Sequence, residues 1–179
     1  MLYGFLTRSR KASASQKQMI MKIFKEVSIN VPAEKVWAIV GQNFAKIGEW
    51  DGTVSSSKIN NDFPKVNGSP YGGRVCETSF GTINEKFITY DEKRMTFSFQ
   101  GDIKSPVFSN VLNTVIVIPV NANKSRITAS PNVDLTFLGK VMSPLIKAGL
   151  GSAIKKGLED LKYYAENDKI SPRKIASEK

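Results

Sequence analysis

Near the carboxyl end, apolar positions recur in helical rhythm. Ile146, Gly149, Leu150, Ala153, Ile154, Gly157, Leu158, Leu161, Tyr164 and Ala165 follow three- and four-residue steps, which puts them on one helical face. The spacing predicts a long helix over residues 144–166. Ser143 would cap it ahead of Pro144 at the first helical position, or the helix would start near Leu138 and kink at Pro144. Its other face is polar, with Lys155, Glu159, Lys162 and Glu166 spaced to pair along the solvent side. Gly149 and Gly157 lie on the apolar stripe, where each costs about 1 kcal/mol relative to alanine. Two readings account for them: the helix approaches a sheet closely there, or the missing side chains leave an internal cavity.

Upstream the rhythm shortens toward two. Ile23, Phe24, Val27, Ile29 and Val31 predict a strand over 23–31 that stops at Pro32. Residues 32–40 read as a short helix with Val36, Trp37 and Val40 on one face, and Phe44, Ile47 and Trp50 continue a second one to Gly52. Strands are then expected over 53–59, 74–80, 82–91, 94–100, 109–120 and 125–137, with turns at Gly81, Asp91–Arg94 and Asn121–Lys124. Met95, Phe97 and Phe99 alternate with Thr96, Ser98 and Gln100, so that strand has one dry and one wet face. A run of antiparallel strands closed by one long amphipathic helix is an α+β pattern, with the helix lying across a curved sheet.

Composition narrows the chemistry. A chain of 179 residues, 41% hydrophobic and 23% charged, supports one buried core. No run reaches the about 18 apolar residues a membrane-spanning helix needs. The lone Cys76 excludes an intrachain disulfide. Histidine is absent, which removes every histidine-based triad and, with one cysteine, most zinc, haem and iron–sulfur sites. No cofactor and no metal are therefore expected, and any catalysis falls to carboxylates, lysines, tyrosines or water. The formal charge of +10 favours encounters with anionic partners. Phosphate-cradling glycine motifs are missing. Lys169, Arg173, Lys174 and Lys179 read as solvated charges in a basic tail, since no aromatic-studded basic strand accompanies them, so no nucleic-acid partner is expected.

Three segments result: a basic leader over residues 1–20, a folded domain over 21–166, and the tail over 167–179. The leader carries Arg8, Arg10, Lys11 and Lys17 with no acid, which fits either a disordered extension or a transit-type presequence. The corresponding locations are cytoplasmic or, through that leader, an organelle.

The run VSINVPAEKVWAIVGQNFAKIGEW, with GGRVCETSFGTINEKFITYDEKRMTFSFQGD in the middle and GLEDLKYYAE near the end, resembles the helix-grip superfamily. That group includes the START domains, the polyketide cyclase/dehydrase and lipid-transport (SRPBCC) family, and the plant pollen-allergen and hormone-receptor proteins. The resemblance covers residues 21–166, and Val-Pro-Ala-Glu-Lys-Val-Trp is its most specific part. It implies a helix-grip fold: a curved antiparallel sheet of about seven strands, two short helices after the first strand, and a hydrophobic cavity between sheet and C-terminal helix. Aligned on that family, strand parity turns Cys76, Thr78, Ile83, Glu85, Phe87, Phe97, Phe99, Val111, Asn113, Val115 and Val117 inward, with Gly149 and Ala153 facing them from the helix. Glu85, Asn113 and Thr78 are the polar groups that would orient a ligand, although Glu85 also reads as a solvated residue beside a lysine, Asn113 as a core amide, and Arg74 with Glu77 as a surface pair.

Two loops, 80–84 and 101–108, would frame the mouth. In the hormone-receptor branch such loops carry a proline-containing gate and a histidine–arginine pair; both are missing here, as is a lysine in the second strand, so a hormone receptor is not expected. The resemblance implies a monomer that binds a small hydrophobic ligand, either as a carrier or as a cyclase/dehydrase-type enzyme in which Glu85 or Tyr90 moves a proton. The basic excess adds weak association with anionic membrane surfaces as a further expectation.

Overall fold

A computed structural model describes residues 19–103 and 105–178. Eight strands, β1 (Met19–Lys22), β2 (Lys25–Ile29), β3 (Val54–Ile59), β4 (Gly73–Thr78), β5 (Gly81–Asp91), β6 (Thr96–Asp102), β7 (Phe108–Asn121) and β8 (Lys124–Leu135), form one antiparallel sheet. Its order is β1-β8-β7-β6-β5-β4-β3, with β2 also on β8. Between β2 and β3 lie α1 (Ala33–Trp37), a π-helical turn (Ala38–Gln42) and a 3-10 segment (Phe44–Glu49). The chain ends in α2 (Phe137–Val141), α3 (Ser143–Asn167) and α4 (Pro172–Ser177). With α3 laid along the curved sheet, this is the expected helix-grip arrangement.

The single strand expected over 23–31 is two strands. β1 pairs with Asn132–Leu135 and β2 with Ser125–Ala129. Between these stretches β8 carries Pro131, which has no N–H to donate and so interrupts the ladder. Ile23 donates to the Pro131 carbonyl at 3.0 Å and turns inward, while Phe24 points to solvent. Met19 and Ile20, assigned to the leader from sequence, are in β1; the rest of the leader lies outside the described residues.

The dry and wet faces of β6 need one amendment. Phe97 and Phe99 are buried as expected, but Ser98 on the other face is buried too, in a 2.7 Å hydrogen bond with Thr89. The strand starts at Thr96 because Met95 takes a left-handed turn conformation (φ 47°).

Two cores divide the molecule along α3. The larger joins Ile29, Val36, Trp37, Phe44, Phe87, Phe97, Val117, Leu161 and Ala165, and the smaller joins Met21, Ile23, Val133 and Leu135, with Ile146 and Leu150 packed on it. Truncation discriminates between leader and core. A chain starting at Met21 loses, of the described residues, only the exposed Met19 and Ile20, and is expected to keep its stability within about 1 kcal/mol. A chain starting at Phe24 also loses the buried Met21 and Ile23, and is expected to lose about 2–5 kcal/mol; urea denaturation of both chains measures the contrast.

The start of α3 matches neither reading in full: it begins at Ser143, and a separate helix, α2, precedes it across a break at Met142. Ser143 is inside the helix and caps nothing; α2 comes first, capped by Thr136, whose Oγ1 accepts from the Gly139 amide at 3.1 Å. The solvent-side pairs form as spaced, Lys155–Glu159 at 3.7 Å and Lys162–Glu166 at 3.4 Å.

The tail departs most from expectation. Ser171 caps α4 by accepting from the Lys174 amide, and Pro172 opens it. Lys174 is not a solvated charge: its side chain is fully buried, and Nζ donates to the Val54 carbonyl at 2.9 Å and pairs with Glu178 at 3.1 Å. Arg173 pairs with Asp160 and lies 3.8 Å from Asp51.

Candidate functional site

A cavity of about 620 Å³ lies between α3 and the concave face of the sheet. Its size falls in the usual range of small-molecule sites, roughly 300–1,000 Å³. Phe44, Phe97, Phe99, Val115, Ile127, Ile146, Ile154 and Leu158 are among the apolar residues of its wall. Apolar side chains gather there because strand parity on β6, β7 and β8 turns them to one face.

The two helix glycines have different reasons. A Cβ on Gly149 would meet nothing within 4 Å, and the residue lines the cavity. One on Gly157 would come 2.5 Å from the Asp51 carboxylate, so close approach accounts for this position. Each sequence reading holds for one glycine.

Most of the inward set reaches the wall: Cys76, Thr78, Ile83, Glu85, Phe97, Phe99, Asn113, Val115, Gly149 and Ala153 all line the cavity. Three of the set do not, and neither does Tyr90, the other candidate for moving a proton. Val117 is packed in the large core and Val111 against the small one. Phe87 is buried among Phe44, Tyr71, Tyr90 and Phe97. Tyr90 lies on the far side of Phe87, beside Trp37, with its hydroxyl donating to Glu92 at 2.6 Å. Phe87 keeps the inward parity of Ile83 and Glu85, but neighbouring rings cover it; the register shift between Phe87 and Thr89 lies beyond it and sets Tyr90 opposite Phe97. Burial, then the Glu92 hydrogen bond, pushes the Tyr90 phenol's pKa up. Away from the cavity and reluctant to ionise, it is no candidate for moving a ligand's proton.

The polar centre of the wall is an ion pair. Register sets Arg74 opposite Glu85 across β4 and β5, and Arg74 Nε donates to Glu85 Oε2 at 2.5 Å. The same guanidinium donates through Nη1 to the Phe44 carbonyl at 2.5 Å and lies 3.7 Å over the Phe44 ring. Burial works against its charge, but the Glu85 carboxylate and neighbouring groups outweigh that and raise the pKa. Glu85 is therefore paired with a buried arginine and not with a lysine, and Arg74 is not in a surface pair with Glu77, which accepts from Thr82 instead. Cys76 Sγ is 3.7 Å from Glu85 Oε2, and burial pushes its thiol up to about 12, Arg74 opposing and Glu85 adding, so the sulfur stays protonated and inert. Arg74 was legible from sequence: it has the parity of Cys76 and Thr78, both read as inward.

Two further polar atoms, on residues that line the cavity, are buried without a hydrogen-bond partner among the described residues: Asn113 Oδ1 and Trp50 Nε1. One is an acceptor and the other a donor. The described residues hold no cluster of three or more metal-ligating side chains, and no described helix is long and apolar enough to cross a membrane.

Two parts of the cavity lining differ. Phe80, Ile103, Ser105, Pro106, Val107 and Phe108, from the two loops expected to frame the mouth, form one part with Ile146 and Gly149. Asp51, Thr53, Val54 and Gly157 line the cavity beside the chain that α4 covers. Asp51 accepts from Thr53 through its amide and hydroxyl at 2.8 and 2.7 Å. Burial pushes its carboxyl up; the Thr53 hydrogen bonds and Arg173 pull it down, and Asp160 adds to the rise.

Solved structures share this architecture. The protein XoxI from Bacillus cereus superposes with a TM-score of 0.65 at 19% identity, covering 82% of this chain and 96% of that one. Zhui aromatase/cyclase from Streptomyces sp. R1128 gives 0.68 at 10% identity, with 83% and 94% covered. Norcoclaurine synthase from Thalictrum flavum gives 0.61 at 16%, with 88% and 99% covered. At these identities the likeness is one of fold. No functionally curated protein matches the sequence. Residues 21–166, the sheet, α1, α2 and nearly all of α3 with the cavity between them, match one family throughout, and the chain belongs to the polyketide cyclase / dehydrase and lipid transport family.

Proposed function

We propose that the chain is a carrier or sensor that holds one small, largely apolar molecule, of lipid, isoprenoid or polyketide type, in the cavity under α3. Family membership and the cavity support hydrophobic-ligand binding or a cyclase-type role; the observation that carries the narrower reading is the state of Glu85. The one carboxylate on the sheet's cavity face is held by a buried arginine at 2.5 Å, which leaves it an acceptor already in use rather than an open base. The ligand's polar end is read from what lacks a partner: a hydroxyl could donate to Asn113 Oδ1, while its chain lies along Phe97, Phe99 and Ile154.

Filling the cavity tests this reading. Ala153→Phe on α3 puts a ring into the space Ala153 lines and is expected to weaken a fluorescent apolar probe, displaceable by lipids in the wild type, by roughly tenfold or more while the thermal midpoint holds. A wild type that binds no such probe overturns the reading.

Glu85 facing the cavity keeps the cyclase/dehydrase alternative in view. In a carrier, Glu85→Gln alters probe affinity and no bound molecule is chemically changed. In an enzyme, it leaves affinity within a few-fold and removes turnover, since a general base contributes roughly a hundredfold or more in rate.

A further inference from the structure

Beside the loops that frame the cavity lies an apolar surface that no described residue covers. Phe137 is 84% exposed, Phe80 82%, Val141 71% and Leu145 69%. These side chains belong to one rim. Thr136 anchors α2 to the mouth loop, its Oγ1 donating to the Pro106 carbonyl at 2.7 Å and its amide to the Val107 carbonyl at 3.1 Å. Pro106 and Val107 line the cavity with Phe80, as do Ile146 and Gly149 in the first turns of α3. Clustered exposed apolar side chains of this size mark an interaction surface.

Charge says what the surface meets. Between Asp134 and Glu159 the chain has no acidic residue, yet it carries Lys140, Lys147, Lys155 and Lys156. Lys140 sits among the apolar residues of α2, and Lys147 and Lys156 are exposed on α3. Leu145, Gly149, Ser152 and Lys156 follow steps of four, three and four and are all exposed, so α3 itself presents an apolar-to-basic strip beside the opening. Aromatic and aliphatic side chains interleaved with lysines, without acids, are the chemistry of an element lying in the interface of an anionic bilayer.

We propose that this rim docks on anionic lipid bilayers, with Phe137, Val141 and Leu145 entering the headgroup boundary and the lysines meeting lipid phosphates and carboxylates. The cavity would then open against the membrane, so an apolar ligand passes between bilayer and protein without crossing water. The inference goes beyond ligand binding and uses the cavity only to locate the opening; vesicles free of added ligand test it, so the two readings fail separately.

The test is flotation of the full chain with phosphatidylcholine vesicles and with vesicles containing phosphatidylserine. Binding to the anionic vesicles should be at least roughly tenfold stronger than to the neutral ones and should weaken with salt. Val141→Asp with Leu145→Asp, and separately Lys147→Glu with Lys156→Glu, should each cut it roughly tenfold or more while thermal midpoint and binding of the apolar probe stay unchanged. All four residues are outside the cavity wall, so a lost midpoint is not the expected route to lost binding. Equal binding to neutral and anionic vesicles, no binding at all, or variants that float as the wild type does would overturn the proposal. So would a wild type that sediments as a dimer and becomes monomeric in the aspartate variant, because the rim would then be covered by a second copy of the chain.

Discussion

Replacing Arg74 by leucine is expected to lower the unfolding free energy by about 3–5 kcal/mol, the usual consequence of removing one partner of a buried ion pair. The side chains of Arg74 and Glu85 are 6% and 14% exposed. Without the guanidinium, Glu85 faces an apolar cavity with no other cation among the described residues that line it, and the Phe44 carbonyl loses its donor as well. The double variant Arg74→Leu with Glu85→Leu should recover much of that loss, because apolar side chains of similar size need no hydrogen bonds. Urea denaturation of the two single variants, the double variant and the wild type measures the pair's coupling directly. Additive losses would show that the two groups do not depend on one another. Ligand binding should move the other way: an all-leucine wall holds an apolar probe at least as well, while a ligand whose polar end uses the pair binds more weakly.

A chain ending at Asp168 should lose a comparable amount, about 3–5 kcal/mol. The cut removes Arg173 and Lys174 and leaves two carboxylates, Asp51 and Asp160, with side chains only 9% and 4% exposed. Ser171, which donates to Asp160 Oδ1 at 2.6 Å, goes with them. The single change Asp160→Ala should reproduce part of the loss by stranding Arg173. Asp51→Asn should do the opposite at neutral pH. Burial raises the Asp51 pKa in the folded protein, so the folded state takes up a proton at a higher pH than the unfolded chain does. That contribution to stability is complete below the unfolded carboxyl pKa and is lost as pH rises through the folded value. An asparagine there removes the cost of the buried charge above that value and should raise the midpoint, with the gain vanishing in acid. A midpoint difference that is constant with pH would show that Asp51 does not titrate differently in the folded protein.

These two clusters mark where sequence reasoning stopped. The helix-grip order, the inward parity of Cys76, Thr78, Glu85, Phe97, Phe99, Asn113 and Val115, and the cavity loops 80–84 and 101–108 were readable because each rests on local periodicity. Phe87 faces inward as its parity reads but is covered by Phe44, Tyr71 and Phe97, and Tyr90, past a ladder irregularity in β5, packs beside it; periodicity does not say which inward residues neighbouring rings will cover. The basic tail was read as solvated because a charge count is silent about partners more than a hundred residues away: Lys174 meets the Val54 carbonyl across 120 positions. Ser171-Pro172 was a helix-start signal in the tail that went unused.

By itself, the sequence determined the elements, their order and the apolar inner face, since helix and strand periods depend on neighbours a few residues apart. The tertiary structure alone decided which charges are buried and with whom. It set Arg74 against Glu85 through strand register, packed α4 on Asp160, and separated Gly157, packed on Asp51, from Gly149, open to the cavity. Burying a charge costs several kcal/mol until a partner is in place, and those partners meet only once the sheet has curved and the helix has been laid across it.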